Sequence, residues 1–248
     1  MSKHFELIEQ MEKENSLPSG SANVHTSFAQ DGHHDGARQR RWANDESLRL
    51  VQQVFLSQSQ TGPRVVVFAG VEHGNGCSQI CASVAETLAR TSLRPVCLVE
   101  ANFRSPSLPE MFGTTNHYGL TEALLSPGPI TSFAKQVSQN NLWLLSSGTL
   151  ASDAPSLLSG EQLRNRVNEL RLNFDFVIID APPLTQYSDA VVLGQLSDGL
   201  VLVIEAESTR REAALAVVSN IRSVKVPVLA AVLNKRKFPI PSGIYDKL

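Results

Sequence analysis

The sequence predicts an α/β fold, a doubly wound and mostly parallel sheet with helices on both faces, in three layers. Three observations carry this reading. Apolar strand patterns alternate with helical patterns from residue 64 onward. Runs such as Phe176-Val177-Ile178-Ile179 and Leu200-Val201-Leu202-Val203-Ile204 are apolar on both faces, as strands covered on each side must be. The run Val65-Val66-Val67-Phe68-Ala69 passes through a glycine-punctuated turn into an alanine-rich helical pattern, a strand–loop–helix unit. A chain of 248 residues, 42% of them hydrophobic, has the size and the core for one such domain with tails.

The elements follow in order. Phe5, Leu7, Ile8 and Met11 recur at helical spacing and predict a short N-terminal helix over residues 1–13. From Glu14 to Gln39 the chain is rich in Ser, Gly, His, Asp and Gln, which predicts a flexible linker over 14–42. The pair His33-His34 within it reads as solvated linker rather than as a metal site. The main domain is expected over 43–240, and residues 241–248 form a tail. A helix is expected from Asn44 to Ser57, with Leu48, Val51, Val54 and Phe55 on one face and Asn44 or Asp45 as its N-cap. Strands are expected at Arg64–Ala69, Pro95–Glu100, Leu142–Leu145, Phe174–Asp180, Gly199–Ile204 and Val226–Leu233. Helices are expected at Ser78–Arg90, Gly119–Leu125, Gly160–Leu172, Asp189–Leu196 and Arg210–Ser223.

Charge and composition exclude several classes. A formal charge of −2 offers no basic surface for nucleic acid. No apolar run reaches the ~20 residues of a membrane span, so no direct membrane insertion is expected. The start Met1-Ser2-Lys3-His4-Phe5 lacks a secretory apolar segment, and three cysteines without an export signal fit a reducing compartment. The expected location is the cytoplasm.

The chemistry concentrates in two motifs. The first, Gly70-Val71-Glu72-His73-Gly74-Asn75-Gly76-Cys77-Ser78, has the form of a phosphate-binding loop (Walker A). Gly70, Gly74, Asn75, Gly76, Cys77 and Ser78 are its candidate nucleotide-binding residues, because backbone N–H groups there can cradle phosphate oxygens. The residue before Ser78, where a lysine would reach the β/γ-phosphates, is Cys77. A neutral thiol on a one-carbon stem supplies neither the charge nor the reach. The second motif is the buried strand pattern Phe176-Val177-Ile178-Ile179-Asp180 before Ala181-Pro182-Pro183. Asp180 either caps the following turn or, as a Walker B acid, holds the water shell of Mg²⁺ with Ser78 as a direct ligand. Its pairing with the loop about a hundred residues upstream favours the second role.

The three cysteines admit more than one reading. Cys77 and Cys81 share a helix face and Cys97 sits on the next strand, but a zinc site would need a fourth ligand, for which His73 is the nearby candidate. Ordinary thiols are the preferred reading. A helix N-terminus would lower the pKa of Cys77 and make it reactive, against an inert small residue as the default. Trp42 and Trp143 read as packing residues.

Taken together, these motifs resemble the bacterial tyrosine kinases (BY-kinases) of capsule and exopolysaccharide synthesis, the CpsD/CapB type within the MinD/ParA-like P-loop group. Ser2-Lys3-His4-Phe5-Glu6-Leu7 resembles their N-terminal helix, and Glu46-Ser47-Leu48-Arg49-Leu50-Val51-Gln52 their E-x-x-R-x-x-R oligomerisation motif. Leu98-Val99-Glu100-Ala101-Asn102-Phe103-Arg104-Ser105-Pro106-Ser107-Leu108 resembles their Walker A′ motif. Leu145-Ser146-Ser147-Gly148, Ser156-Leu157-Leu158, Asp189-Ala190 and Val232-Leu233-Asn234 also match.

The resemblance implies ATP or ADP with Mg²⁺, catalytic roles for Glu100, Asn102 and Asp180, and nucleotide contacts from Arg104 and Asn234 (the latter to adenine). It further implies homo-oligomers through Glu46 and Arg49, phosphorylation at Tyr245, and a membrane-embedded polysaccharide chain-length regulator (co-polymerase) as partner, which would hold this chain at the inner membrane.

The departures are specific: Cys77 for lysine, Glu100 and Asn102 for two aspartates, Gln52 for an arginine, and a C-terminal tail with Tyr245 alone. They favour a regulatory or scaffold subunit with impaired phosphoryl transfer over an active autokinase. A MinD/ParA-type positioning ATPase is the least favoured reading, since Glu72 stands where that group has its signature lysine and no C-terminal amphipathic membrane helix is visible.

Overall fold

The computed structural model describes residues 25–29, 36–56, 62–139, 141–149, 157–158 and 160–236. In chain order the elements are β1 (His25–Ala29), α1 (Gly36–Val54), β2 (Val65–Gly70), α2 (Cys77–Ser92), β3 (Val96–Glu100), α3 (Leu108–Met111) and α4 (Leu120–Leu125). There follow β4 (Lys135–Ser138), β5 (Leu142–Leu145), α5 (Glu161–Asn173), β6 (Phe176–Ala181), α6 (Asp189–Gln195), β7 (Gly199–Glu205), α7 (Arg211–Ser223) and β8 (Val228–Arg236). They build one sheet in the order β1-β8-β7-β2-β6-β3-β5-β4. Every neighbouring pair is parallel except β4–β5.

The doubly apolar strands explain the layering. Val65, Val67, Cys97, Val99, Val177, Ile179, Leu200 and Leu202 face one core, beneath α5, α6 and α7 through Leu163, Val167, Leu193, Val217 and Ile221. The alternate residues Val66, Phe68, Val96, Leu98, Ile178, Val201 and Val203 face the other, beneath α1 and α2 through Leu50, Val54, Ile80, Val84 and Leu88. With side chains alternating at period two, a strand in the middle layer needs apolar residues at every position.

Two expectations need correction. The linker expected over 14–42 contains β1, whose backbone pairs with β8 from His25↔Ala231 to Ala29↔Arg236. It also contains the first turns of α1, which begins at Gly36 rather than Asn44. Segments such as Ala37-Arg38-Gln39-Arg40 carry good helix formers but no apolar stripe, so composition alone read them as linker. Two further elements went unpredicted, the edge strand β4 with Lys135 and Gln136 exposed, and the single-turn α3. Both are set by backbone pairing and capping rather than by apolar periodicity. The N-terminal helix expected over 1–13 and the tail 241–248 lie outside the described residues. Among the described residues no helix is long and apolar enough to cross a membrane.

Candidate functional site

β2 delivers the loop to the carboxyl end of the sheet, where ligands bind in open parallel sheets. Gly74 and Gly76 adopt left-handed φ values of +85° and +79°, which fold the loop back onto the start of α2. A Cβ on Gly76 would lie 2.4 Å from Asn234 Nδ2, so glycine is required twice over there. The loop is braced from behind. Asn75 Oδ1 accepts the Glu72 N–H at 2.6 Å, and Asn75 Nδ2 donates to Thr209 Oγ1 at 3.2 Å. Asn234 Nδ2 donates to the Asn75 carbonyl at 2.7 Å. Lys235 Nζ donates to the Gly74 carbonyl at 2.7 Å and pairs with Glu205 at 3.2 Å. The turn after β6 closes the other side, with Leu184 N–H bonding Gly70 O at 2.9 Å and Thr185 Oγ1 bonding Val71 O at 2.8 Å.

These contacts bound a cleft of about 260 Å³, lined among others by Glu72, His73, Gly74, Gly76, Cys77, Ser78, Asn102, Ser107 and Asp180. Among the described residues, none that lines it is lysine or arginine. Asp180 is 1% exposed, and among the described residues its Oδ2 has no hydrogen-bond partner. Burial lifts its carboxyl to about 6, against the opposing hydrogen bonds of Ser78 and Cys77 and with help from the charge of Glu100. Asn102 Oδ1 is likewise buried without a partner at the same cleft. Two orphaned oxygens beside the Ser78 hydroxyl are the hard donor set that a hydrated Mg²⁺ takes, so the residues present fit that ion. The first N–H groups of α2, which have no intrahelical partner, fit phosphate oxygens.

The remaining expected residues are placed differently. Glu100 is fully buried, and its carboxylate accepts the N–H groups of Ser107 at 2.6 Å, Leu108 at 2.8 Å and Ser147 at 3.2 Å. Both oxygens are used within the protein, and the side chain is absent from the cleft lining, so the structure places Glu100 as a brace beside the cleft rather than in its wall. Arg104 pairs with Asp189 and stacks 3.8 Å from the ring centroid of Tyr187, outside the cleft lining. The structure therefore does not bring it to the phosphate loop. Asn234, expected at adenine, turns its amide onto the loop backbone. Glu46 and Arg49 pair within α1 at 3.3 Å, with Glu46 largely buried and Arg49 exposed. Tyr245 lies outside the described residues.

Cys77 is not the activated thiol that a helix N-terminus suggests. The hydrogen bond from Cys81 pulls its pKa down, but burial and the charge of Asp180 outweigh it and leave the thiol above its ordinary value. Thr209, Glu205 and Lys235 were missed by sequence reasoning, since their roles as braces exist only once β7 and β8 lie beside β2.

The fold and this loop define a P-loop NTPase domain. Residues 63–244 match the ParA family model, described as NUBPL iron-transfer P-loop NTPase. The chain is 30% identical over 195 residues to the tyrosine-protein kinase YwqD of Bacillus subtilis, covering 78% of this chain and 82% of that one. It is 27% identical over 192 residues to the succinoglycan biosynthesis transport protein ExoP of Rhizobium meliloti, covering 76% of this chain but only 24% of ExoP. The kinase domain of the Escherichia coli tyrosine kinase ETK superposes with a TM-score of 0.82 at 16% identity, over 97% of each chain. The chain belongs to the ParA-like P-loop NTPases and, among them, to the bacterial tyrosine kinase family.

Proposed function

We propose that this chain is a kinase-like subunit of capsule or exopolysaccharide production that acts as a regulatory or scaffold protein, with weak nucleotide binding and impaired phosphoryl transfer. One observation carries the reading: among the described residues no lysine or arginine lines the cleft at the loop, while Glu72 and Asp180 face it. Phosphoryl transfer needs positive charge where the β/γ-bridge charge develops. Backbone dipoles bind phosphate but do not replace that cation. Lys235, which does reach the loop, is directed at a carbonyl and neutralised by Glu205.

The residues that remain define what the subunit can hold. The loop glycines and the start of α2 would take the phosphates of ATP or ADP, and Ser78 and Asp180 would hold Mg²⁺, which when bound shields phosphate charge. The likeness to ExoP, a succinoglycan biosynthesis transport protein, supports the pathway, and the likeness to YwqD supports the kinase-like fold. A membrane-embedded polysaccharide co-polymerase is the proposed partner, which would hold the chain at the cytoplasmic face, and Glu46 and Arg49 are the proposed contacts between copies. An active autokinase is the second reading, because Ser78 and a buried Asp180 with a free oxygen are retained. Calorimetric titration with ATP·Mg²⁺ and a phosphotyrosine assay on the purified full chain decide between the two. The scaffold reading expects weak binding and negligible phosphotyrosine. Robust phosphotyrosine that disappears in Asp180→Ala would return the chain to the active kinases.

A further inference from the structure

Cys77, Cys81 and Asp180 converge at the base of the loop, with their ligand atoms all within 4.8 Å of one another. Cys77 and Cys81 stand one helical turn apart on α2, so both thiols leave the same helix face. β6 runs alongside and sets Asp180 against them, with Cys81 Sγ 3.7 Å from Asp180 Oδ1. The second carboxylate oxygen, Oδ2, is buried and has no partner among the described residues. Cys77 and Asp180 also line the cleft, whereas Cys81 lies behind them.

We propose that Cys77, Cys81 and Asp180 form a three-ligand site for a thiophilic divalent cation of the zinc class, with its fourth position open to the cleft. The spacing suits such an ion. Zn–S bonds of about 2.3 Å and Zn–O bonds of about 2.0–2.2 Å place tetrahedral ligands roughly 3.5–3.8 Å apart, so the observed group needs only a slight contraction. Two sulfurs select a soft ion over Mg²⁺, and three protein ligands with one open position is the pattern of a reactive rather than a closed structural site.

Binding releases the thiol protons to solvent and leaves two thiolates and one carboxylate around the ion. The unpartnered oxygen of Asp180 then gains its missing interaction. The fourth ligand is a water or another oxygen donor entering from the cleft. His73 lines the same cleft but is not within reach of the group as it stands. Because Mg²⁺ in the proposed nucleotide site would also use Asp180, the two ions compete. The proposal itself stands on Cys77, Cys81 and Asp180 alone and does not depend on nucleotide binding.

The test is a titration of untagged, chelator-treated full-length protein with Co²⁺, followed by displacement with Zn²⁺. The expected result is a single equivalent giving thiolate-to-cobalt charge-transfer absorption in the near ultraviolet and the intense visible bands of tetrahedral cobalt. Zn²⁺ should erase both. Cys77→Ser, at the cleft, and Cys81→Ser should each remove the charge-transfer band, while Cys97→Ser, on β3, should leave it. Circular dichroism of each variant confirms that it is folded, and Cys77→Ser serves if Cys81→Ser is not. Absence of the charge-transfer band in the parent protein, or its persistence in Cys77→Ser, overturns the proposal.

Discussion

Glu100 Oε1 accepts the backbone N–H of Leu108 at 2.8 Å, tying the end of β3 to the first turn of α3. The same carboxylate holds Ser107 and, through its other oxygen, Ser147 near the end of β5. A residue that resembles a catalytic acid in sequence is here a buried brace for three segments.

Glu100→Ala should therefore damage stability more than nucleotide affinity. Leaving three N–H groups, two of them buried, without their charged acceptor costs about 2–3 kcal/mol, or roughly 4–12 °C in Tm for a chain of this size. Thermal unfolding and ATP titration of the same variant check this. A variant that unfolds like the parent but has lost its ATP binding would restore the catalytic assignment.

Cys77→Lys should raise ATP affinity by about one to two decades, since it restores a charge-assisted contact to the phosphates. Turnover is expected to need Asn102→Asp as well, because Glu100 is committed elsewhere and Asn102 carries no charge. Isothermal titration and a phosphotyrosine assay on the single and double variants separate the two effects.

Gly76→Ala should destabilise the loop by about 1–3 kcal/mol. Its φ of +79° disfavours any side chain, and the new Cβ would meet Asn234 Nδ2 at 2.4 Å. The Asn234 amide must then leave the Asn75 carbonyl. Adding Asn234→Ala should recover part of the loss by removing the clash, and a double-mutant cycle in denaturant unfolding reads the coupling.

Asp198 makes the fold acid-sensitive. Burial alone would raise its pKa, but hydrogen bonds from Arg171 and from the N–H groups of Val65 and Arg64 outweigh that and lower it. A carboxylate whose folded pKa lies below its unfolded value contributes stability that is present above the unfolded value, near 3.8. That contribution fades as the pH falls through the folded pKa. Asp198→Asn should lower Tm at neutral pH and flatten the decline of Tm on acidification through that range, measured by calorimetry from neutral to acid pH.

The Glu46–Arg49 pair contributes about 0.2–0.5 kcal/mol within α1, as an i,i+3 pair should. If the pair also contacts a second copy, Glu46→Ala with Arg49→Ala should shift sedimentation toward the monomer while leaving Tm within a degree or two. An unchanged sedimentation profile would confine these residues to the helix surface.

The sequence by itself determined the layered α/β fold and the two motifs at its mouth. Central strands such as Phe176–Ala181 must be apolar on both faces, and a loop with Gly74 and Gly76 before a helix has few other conformations open to it. These are local constraints written in residue type and period. Tertiary structure alone decided which polar groups reach the cleft. Glu100 and Arg104 lie within five residues of each other in the A′ segment, yet one is buried under α3 and the other is drawn to Asp189 and Tyr187. The edge strands β1 and β4 were equally illegible, because backbone pairing with β8 and β5 leaves no apolar period to read. The convergence of Cys81 with Asp180 joins residues 99 positions apart, and only the packing of α2 against β6 brings them together.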